Sequence, residues 1–331
     1  MVYVVLYTKR SDVIDQSIVL EVIVVEFARP TRELWPVMLT PFTSSGDVDY
    51  DALARMVDWY EENGSTGLFA ICQSSEVFYL SLQERVRIAA FLKKRAHVPV
   101  IASGHVSYAL EDQIDELRRV SDTGVDAVIL ITNRLAEEHA APEVWMDHLH
   151  QVTDALDPAM PLGFYECPYP YKRLLSLDEL RQVAADPRYR FLKDTCCDLS
   201  LIQKRLQVLA DSSLGLYNAN TATLLSSLRA GAAGFSGVMA NFHPELYAWL
   251  LRHFEEQPEK AETLQSILTM ASLIEMHHYP VCAKYAMQRA GVPIDLYSRT
   301  RNHHELTPLV CDEVDQLARL TAYVKDTLLR D

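Results

Sequence analysis

Glycine is scarce in this chain, 11 of 331 residues, and no glycine-rich turn follows an early apolar run. A doubly wound nucleotide-binding sheet needs such a turn to bring backbone N–H groups against a phosphate, so that architecture is disfavoured. No apolar stretch reaches the roughly 20 residues of a membrane-spanning helix without a charge. Basic residues are in deficit, 31 Lys and Arg against 45 Asp and Glu, for a net charge of −14. That balance argues against nucleic acid or an anionic membrane as a partner. Six cysteines occur, Cys72, Cys167, Cys196, Cys197, Cys282 and Cys311. Their spacing matches no zinc pattern, and adjacent cysteines such as Cys196 and Cys197 are poorly placed to bridge each other. Reduced thiols in a cytoplasmic enzyme are the simpler reading. His277-His278, His303-His304 and the pair His148 and His150 lack the i, i+4 spacing that presents two imidazoles to one metal from a helix. They read as solvated or rim histidines, and neither a metal nor a nucleotide cofactor is expected.

What is present is apolar mass in a regular pattern. Hydrophobic residues make up 49% of the chain, enough for a large core. Residues 1–33 hold two β-like apolar runs, 2–7 and 18–27, interrupted by Lys9, Arg10, Asp12, Asp15, Glu21 and Glu26. A signal peptide needs one unbroken apolar stretch, so this segment reads as an N-terminal extension of unknown role, an extra strand or strand pair. From residue 34 onward short β-branched runs alternate with amphipathic stretches. The runs are 34–39, 67–71, 98–102, 127–131, 162–165, 190–193, 214–218 and 233–238; the helical stretches are 50–63, 82–95, 110–123, 142–156, 177–185, 199–210 and 222–230. Ser81 with Glu84 forms a capping box, Asp49 and Ser176 are further N-caps, and Gly64, Gly124 and Gly231 close helices. Strand ends recur roughly every 30 residues, the length of a βαβ unit. Eight such strands predict an α/β fold, a (β/α)8 barrel over 34–241. After 241 the pattern turns all-helical, at 244–255, 261–276, 280–290 and 307–329, giving a C-terminal helical extension over 242–331. Its apolar positions, Leu246, Trp249, Leu250, Leu264, Ile267 and Leu268, are explained by packing on its own barrel.

One residue is out of pattern. Lys193 ends the apolar run 189–193, where Gly, Asn or Ser is usual. An ammonium at the mouth of a core is costly, so it points to a function. Barrel chemistry gathers at the C-terminal strand ends, and these bring Cys72-Gln73-Ser74-Ser75-Glu76, Tyr165, Lys193, Asn218-Ala219-Asn220, Ser236-Gly237 and Asn241 to one rim. Desolvation lowers a lysine pKa, the neutral amine attacks a ketone, and the protonated imine is an electron sink for the adjacent bond. Tyr165 would shuttle protons, and the Ser74-Ser75 turn would present N–H groups and hydroxyls to a carboxylate. The competing reading of Lys193 is an ion pair with Asp194. Glu76 reads as an acceptor for loop N–H groups, Arg299 and Arg301 as ion-pairing loop residues, and Cys196 and Cys197 as small packing residues.

These residues resemble the dihydrodipicolinate synthase and N-acetylneuraminate lyase family of Schiff-base class I aldolases, over about 34–331. Thr40-Pro41-Phe42 is similar to the family's Thr-Pro-Phe after the first strand, and Asp47-Val48-Asp49 to its acidic helix start. Cys72-Gln73-Ser74-Ser75-Glu76 lies where the family has Gly-Thr-Thr-Gly-Glu. Leu80-Ser81 and Glu84-Arg85 follow as in the family, Tyr165 with Pro168 matches Tyr-Asn-x-Pro, and Lys193-Asp194 matches the imine lysine. The resemblance implies a lyase acting on pyruvate or a related 2-keto acid, with catalytic Lys193 and Tyr165 and substrate contacts from Gln73, Ser74, Ser75, Ser236 and Gly237. It also implies a homo-oligomer, tetramer or dimer. Three departures stand out. Gln73 replaces the first hydroxyl residue, Thr132-Asn133-Arg134-Leu135 stands for the synthases' Pro-Pro-Tyr-Tyr, and Pro170 falls at their carboxylate-gripping arginine, with Arg173 nearby. They argue against dihydrodipicolinate synthesis itself and leave imine chemistry intact. A dehydratase of a sugar-derived keto acid would use the same imine, and a non-catalytic keto-acid or sugar-acid binding protein is the reading from outside enzymology.

Overall fold

The computed structural model describes the strands Val4–Thr8 (β1) and Leu20–Val24 (β2) and residues 31–330. The chain divides into two units, with the boundary between Thr31 and Arg32. In the first, β1 and β2 pair antiparallel, Val4 opposite Val24 and Thr8 opposite Leu20. Lys9, Arg10, Asp12, Asp15 and Glu26 lie outside the described residues.

The second unit is built on eight parallel strands. They are β3 (Glu33–Leu34), β4 (Leu68–Ala70), β5 (Val100–Ala102), β6 (Ala127–Ile131), β7 (Leu162–Tyr165), β8 (Tyr189–Asp194), β9 (Gly215–Asn218) and β10 (Gly234–Phe235), hydrogen-bonded in the order β3-β10-β9-β8-β7-β6-β5-β4. The two ends of that order meet. Val37 bridges Phe69 in parallel, with Phe69 N donating to Pro36 O and Met38 N to Phe69 O, each at 3.0 Å. The sheet is therefore closed into the expected (β/α)8 barrel. The first run, expected as a strand over 34–39, stays in regular pairing only at Glu33–Leu34, because Pro36 has no N–H to give to a ladder.

Helices α1 (Tyr50–Glu62), α2 (Leu82–Arg95), α3 (Leu110–Ser121), α4 (Pro142–Asp154), α5 (Leu177–Ala184), α6 (Leu199–Leu209), α7 (Leu224–Arg229) and α8 (Pro244–His253) alternate with and follow the barrel strands. Their ends are encoded locally. Asp49 accepts from Ala52 N at 2.9 Å, and Ser81–Glu84 and Ser176–Glu179 form reciprocal capping boxes. Gly64 and Gly124 follow α1 and α3 at φ +89 and +79, left-handed backbone that a β-carbon disfavours. Ser81→Ala is expected to cost about 1 kcal/mol of stability, read from denaturant melts; no change would mean that solvent replaces the cap.

Strand alternation sorts the core into two layers. Ala127, Ile129, Ile131, Phe191 and Tyr165 point into the barrel, packed with Trp35, Val37 and Phe69. Val128, Leu130, Phe164 and Leu192 point outward to the helices. By that parity Lys193 faces inward, beside Phe191, and Asp194 outward. A third cluster is formed by α7, α8, α9 (Pro258–Ala271), α10 (Val281–Arg289) and α11 (Pro308–Thr327). Here Leu246, Leu250, Leu264 and Leu268 pack with Leu34 and Phe235 of the barrel, with Trp249 and Ile267 at its edge. The stretch expected as one helix over 261–276 is α9 followed by a 3-10 turn, Ser272–Met276.

Candidate active site

Tyr165 and Lys193 are direct partners in the parallel ladder of β7 and β8. Both point inward, 3% and 4% exposed. The Lys193 ammonium nitrogen lies 4.5 Å from the Tyr165 ring centre and 5.8 Å from that of Phe69. Among the described residues it has neither an ion pair nor a hydrogen bond. Burial lowers its pKa, with Cys72, Cys167 and Glu275 opposing. Burial likewise raises the Tyr165 phenol well above its ordinary value, so the hydroxyl keeps its proton at neutral pH and is available as a donor.

The strand ends are held by a buried cation. Glu166 and Asp194 follow Tyr165 and Lys193 in sequence and face away from the barrel interior, where Arg205 of α6 meets both. Arg205 Nη2 donates to Glu166 Oε1 at 2.7 Å and to Leu175 O at 2.7 Å, Nη1 donates to Glu166 Oε2 at 2.9 Å, and Nη1 pairs with Asp194. All three side chains are fully buried. Asp194 is thus committed to Arg205 and to Cys196 N (2.9 Å) rather than to Lys193.

A cavity of about 590 Å³ opens above this pair, lined by Gln73, Ser74, Tyr165, Lys193 and Gly237 among the residues singled out in the sequence. Gln73 Oε1 lies 3.5 Å from the Tyr165 hydroxyl. Gly237 is required by close packing, since a β-carbon there would lie 2.3 Å from the Phe235 ring and 2.6 Å from Ala219 O. Ser75 and Ser236 do not line the cavity. The Ser75 hydroxyl donates to Met38 O at 2.6 Å and accepts from Cys72 N at 3.1 Å, fixing the turn, whose Ser75 O accepts from Thr40 Oγ1 at 2.7 Å. The Ser236 hydroxyl is buried with no hydrogen-bond partner among the described residues.

Some other positions match their sequence readings and some depart from them. Arg299 does pair with Glu84, at 2.6 Å, but Arg301 has no ion pair among the described residues and lines the cavity instead. Cys197 also lines it, at φ +57, because the left-handed turn after Thr195 swings it to the rim. Arg173 is spent on Glu179 (2.5 Å) and on the Trp145 face (4.3 Å), and the neighbouring Lys172 takes the cavity wall. Asn133 donates to Cys167 O, Tyr169 O and Tyr171 O, bracing the loop after β7. Glu76 is an acceptor for loop N–H groups, as expected. Its Oε2 takes Ser298 Oγ (2.9 Å), Arg299 N (2.7 Å) and Thr300 N (2.9 Å), and its Oε1 takes Lys284 Nζ (2.9 Å).

Among the cavity residues that carry no sequence signal of their own are Glu275 and Tyr279. Both belong to the C-terminal helical region. Tyr279 Oη accepts from Asn241 Nδ2 at 2.9 Å, and Asn241 Oδ1 accepts from Tyr60 Oη at 2.5 Å. Their place at the rim follows from how that region docks, which only the buried Asn241, at the edge of the barrel, foreshadows.

A closed parallel barrel with a buried lysine and a buried tyrosine paired at adjacent strand ends defines the class of fold and the place of its candidate site. The chain belongs to the dihydrodipicolinate synthetase family, whose sequence model matches residues 30–321. It is 26% identical over 284 residues to the 4-hydroxy-tetrahydrodipicolinate synthase of Pseudoalteromonas atlantica, covering 84% of this chain and 92% of that one. It is 27% identical over 245 residues to the N-acetylneuraminate lyase of Citrobacter koseri, covering 72% and 80%. Among solved structures, a prophage protein of the dihydrodipicolinic acid synthase family from E. coli K12, in complex with pyruvate, superposes with a TM-score of 0.79 at 19% identity, over 88% of this chain and 98% of that one.

Proposed function

We propose that the protein is a class I lyase that forms an imine between Lys193 and a 2-keto acid, pyruvate or a relative of it. The observation that supports this most is the state of Lys193: buried, facing Tyr165 across the ladder, and free of any ion pair among the described residues. A neutral amine is the nucleophile imine formation needs, and burial favours that form. In this reading Ser74 and the turn N–H groups receive the keto-acid carboxylate. Tyr165 passes protons between the carbonyl oxygen, the carbinolamine and the substrate carbon. The protonated imine then withdraws electrons as the adjacent carbon–carbon bond breaks. Gln73 beside the Tyr165 hydroxyl offers an amide where a relay would need an exchangeable hydroxyl proton, so a reaction other than dihydrodipicolinate synthesis is the better fit. A dehydration, which uses the same imine and expels water, is told from cleavage by product analysis over a panel of sugar acids.

Borohydride reduction in the presence of pyruvate, followed by peptide mass mapping, tests the reading. A reduced adduct on Lys193 is expected. Failure to trap pyruvate or any larger keto acid on a folded sample would leave only the binding-protein reading. No helix of the described residues is long and apolar enough to cross a membrane, and we place the reaction in the cytoplasm. The protein is proposed to act as a homo-oligomer, dimer or tetramer, which light scattering checks.

A further inference from the structure

The cavity holds a second tyrosine whose hydroxyl proton has its direction set by the fold. Tyr279 stands just before α10, is half-buried, and lines the cavity with Lys193 and Tyr165. The amide of Asn241 that meets it is fully buried and wholly committed. Asn241 Nδ2 lies 3.0 Å from Val37 O and 2.9 Å from Tyr279 Oη, and Asn241 Oδ1 lies 2.5 Å from Tyr60 Oη. A carbonyl oxygen only accepts, so the Asn241 atom beside Val37 O is the nitrogen, and the amide admits no flipped reading. Its other N–H is therefore donated to Tyr279, while Tyr60 donates to the amide oxygen. Tyr279 is left as the acceptor in that contact, and its own proton is turned away from Asn241. Burial holds the phenol well above its ordinary pKa, so the proton stays in place at neutral pH.

The strand order says which side of the barrel mouth this hydroxyl serves. Val37 follows β3 and Asn241 follows β10, neighbours in the closed sheet, and Ser74 follows β4, on the other flank of β3. In a ring of eight, β3 and β4 stand opposite β7 and β8, the strands of Tyr165 and Lys193. Tyr279 is thus anchored on the wall across from the amine, the wall that carries Ser74, and the Ser74 hydroxyl is close enough to share a hydrogen bond with it. Lys172 is tied to Thr195 O at 2.8 Å, just after β8, on the amine's own side. A 2-keto acid joined to Lys193 through its carbonyl carbon carries its carboxylate one bond from that carbon. We propose that Tyr279 is a further substrate-binding residue, a hydroxyl donor that grips the keto-acid carboxylate together with Ser74, and that Asn241 and Tyr60 are positioning residues that aim it. The proposal rests on Lys193 being the imine lysine. It makes a free carboxylate beside the ketone the mark of the substrate class, so that the matching ester is a poor ligand.

Borohydride trapping over a range of concentrations gives the half-saturating level of each carbonyl compound. With pyruvate, Tyr279→Phe is expected to raise that level about 10- to 100-fold, the range for one hydrogen bond to a charged group. With methyl pyruvate, which keeps the ketone and loses the charge, the rise should stay within about threefold. The yield of adduct at saturation should be kept with both. Asn241→Asp has no N–H to give Tyr279 and takes the tyrosine proton for itself. It should therefore narrow the preference for pyruvate over its ester in the same way, with the ring still in place. A loss of equal size for acid and ester, or no loss for either, overturns the role of Tyr279 while adducts on Lys193 uphold the imine reading. Absence of any adduct on Lys193 in the wild type overturns the imine reading and this inference with it. If Tyr279→Phe fails to fold, an unchanged preference in Asn241→Asp overturns the proposal.

Discussion

Lys193→Met is expected to abolish turnover and to give a more stable protein. Turnover should fall by roughly 10⁴-fold or more, because no other amine on this rim faces the Tyr165 ring and the covalent route is lost with the nucleophile. Stability should rise by about 1–3 kcal/mol, because methionine fills the same space without a polar head to desolvate. The sign of the pH effect follows from the lowered pKa of Lys193. Between its folded value and about 10.4 the unfolded chain holds the extra proton, so wild-type stability climbs as pH rises through that window. The advantage of Lys193→Met is therefore fully present below the folded pKa and fades towards pH 10. Guanidinium melts at several pH values, beside a keto-acid cleavage assay, measure both effects. Retained turnover would place the nucleophile elsewhere; a destabilised variant would mean that the lysine head is better solvated than its surroundings indicate.

Arg205→Ala is the second large effect. It leaves Glu166 and Asp194 facing each other in a fully buried site, and removing one partner of a buried ion pair costs about 3–5 kcal/mol. That is a large part of the 5–15 kcal/mol that holds a typical domain. Arg205→Lys keeps the charge but loses the fork that reaches both carboxylates and Leu175 O, so its loss should be intermediate. Activity should fall further than stability explains, since the two carboxylates follow Tyr165 and Lys193 and their displacement moves the facing pair. A melt of Arg205→Ala within about 1 kcal/mol of wild type would show that water enters and solvates the carboxylates.

What the sequence made readable here was whatever is local. The caps at Asp49, Ser81 and Ser176 act within one turn, and the strand–helix repeat needs only the order of apolar residues. The placement of Lys193 and Tyr165 on one rim followed from both standing at the C-terminal ends of barrel strands. What stayed hidden depended on docking. Ser75 and Ser74 are adjacent hydroxyls, yet one is turned to Met38 O and the other to the cavity, a choice set by a 3-10 turn that composition does not announce. Arg205 lies in an amphipathic helix where an arginine usually meets solvent. Two carboxylates one position after the two candidate catalytic residues, both on outward parity, are the signal that would have called for a buried cation. Glu275 and Tyr279 enter from the region after the barrel, and no periodicity says which of its turns reaches the rim. Pro36 shortened the first strand through a missing N–H, a breaker visible in the sequence.

The bonds of Glu76 bear on the order in which the molecule is completed. Its partners lie 208 residues onward at Lys284 and 222 onward at Ser298, and Tyr60 waits 181 residues for Asn241. On a ribosome, all eight barrel strands therefore emerge before the turn that faces the substrate can be fixed. A nascent chain stopped near residue 241 would carry Lys193 and Tyr165 in a vessel with an unpaired carboxylate beneath its rim, and the loops closing it would still be missing. Contacts of such sequence separation are slow to form, so competence to react should trail the appearance of helical and strand signals during synthesis or refolding. For the same reason a single protease cut between 242 and 300 should silence the protein while sparing the barrel.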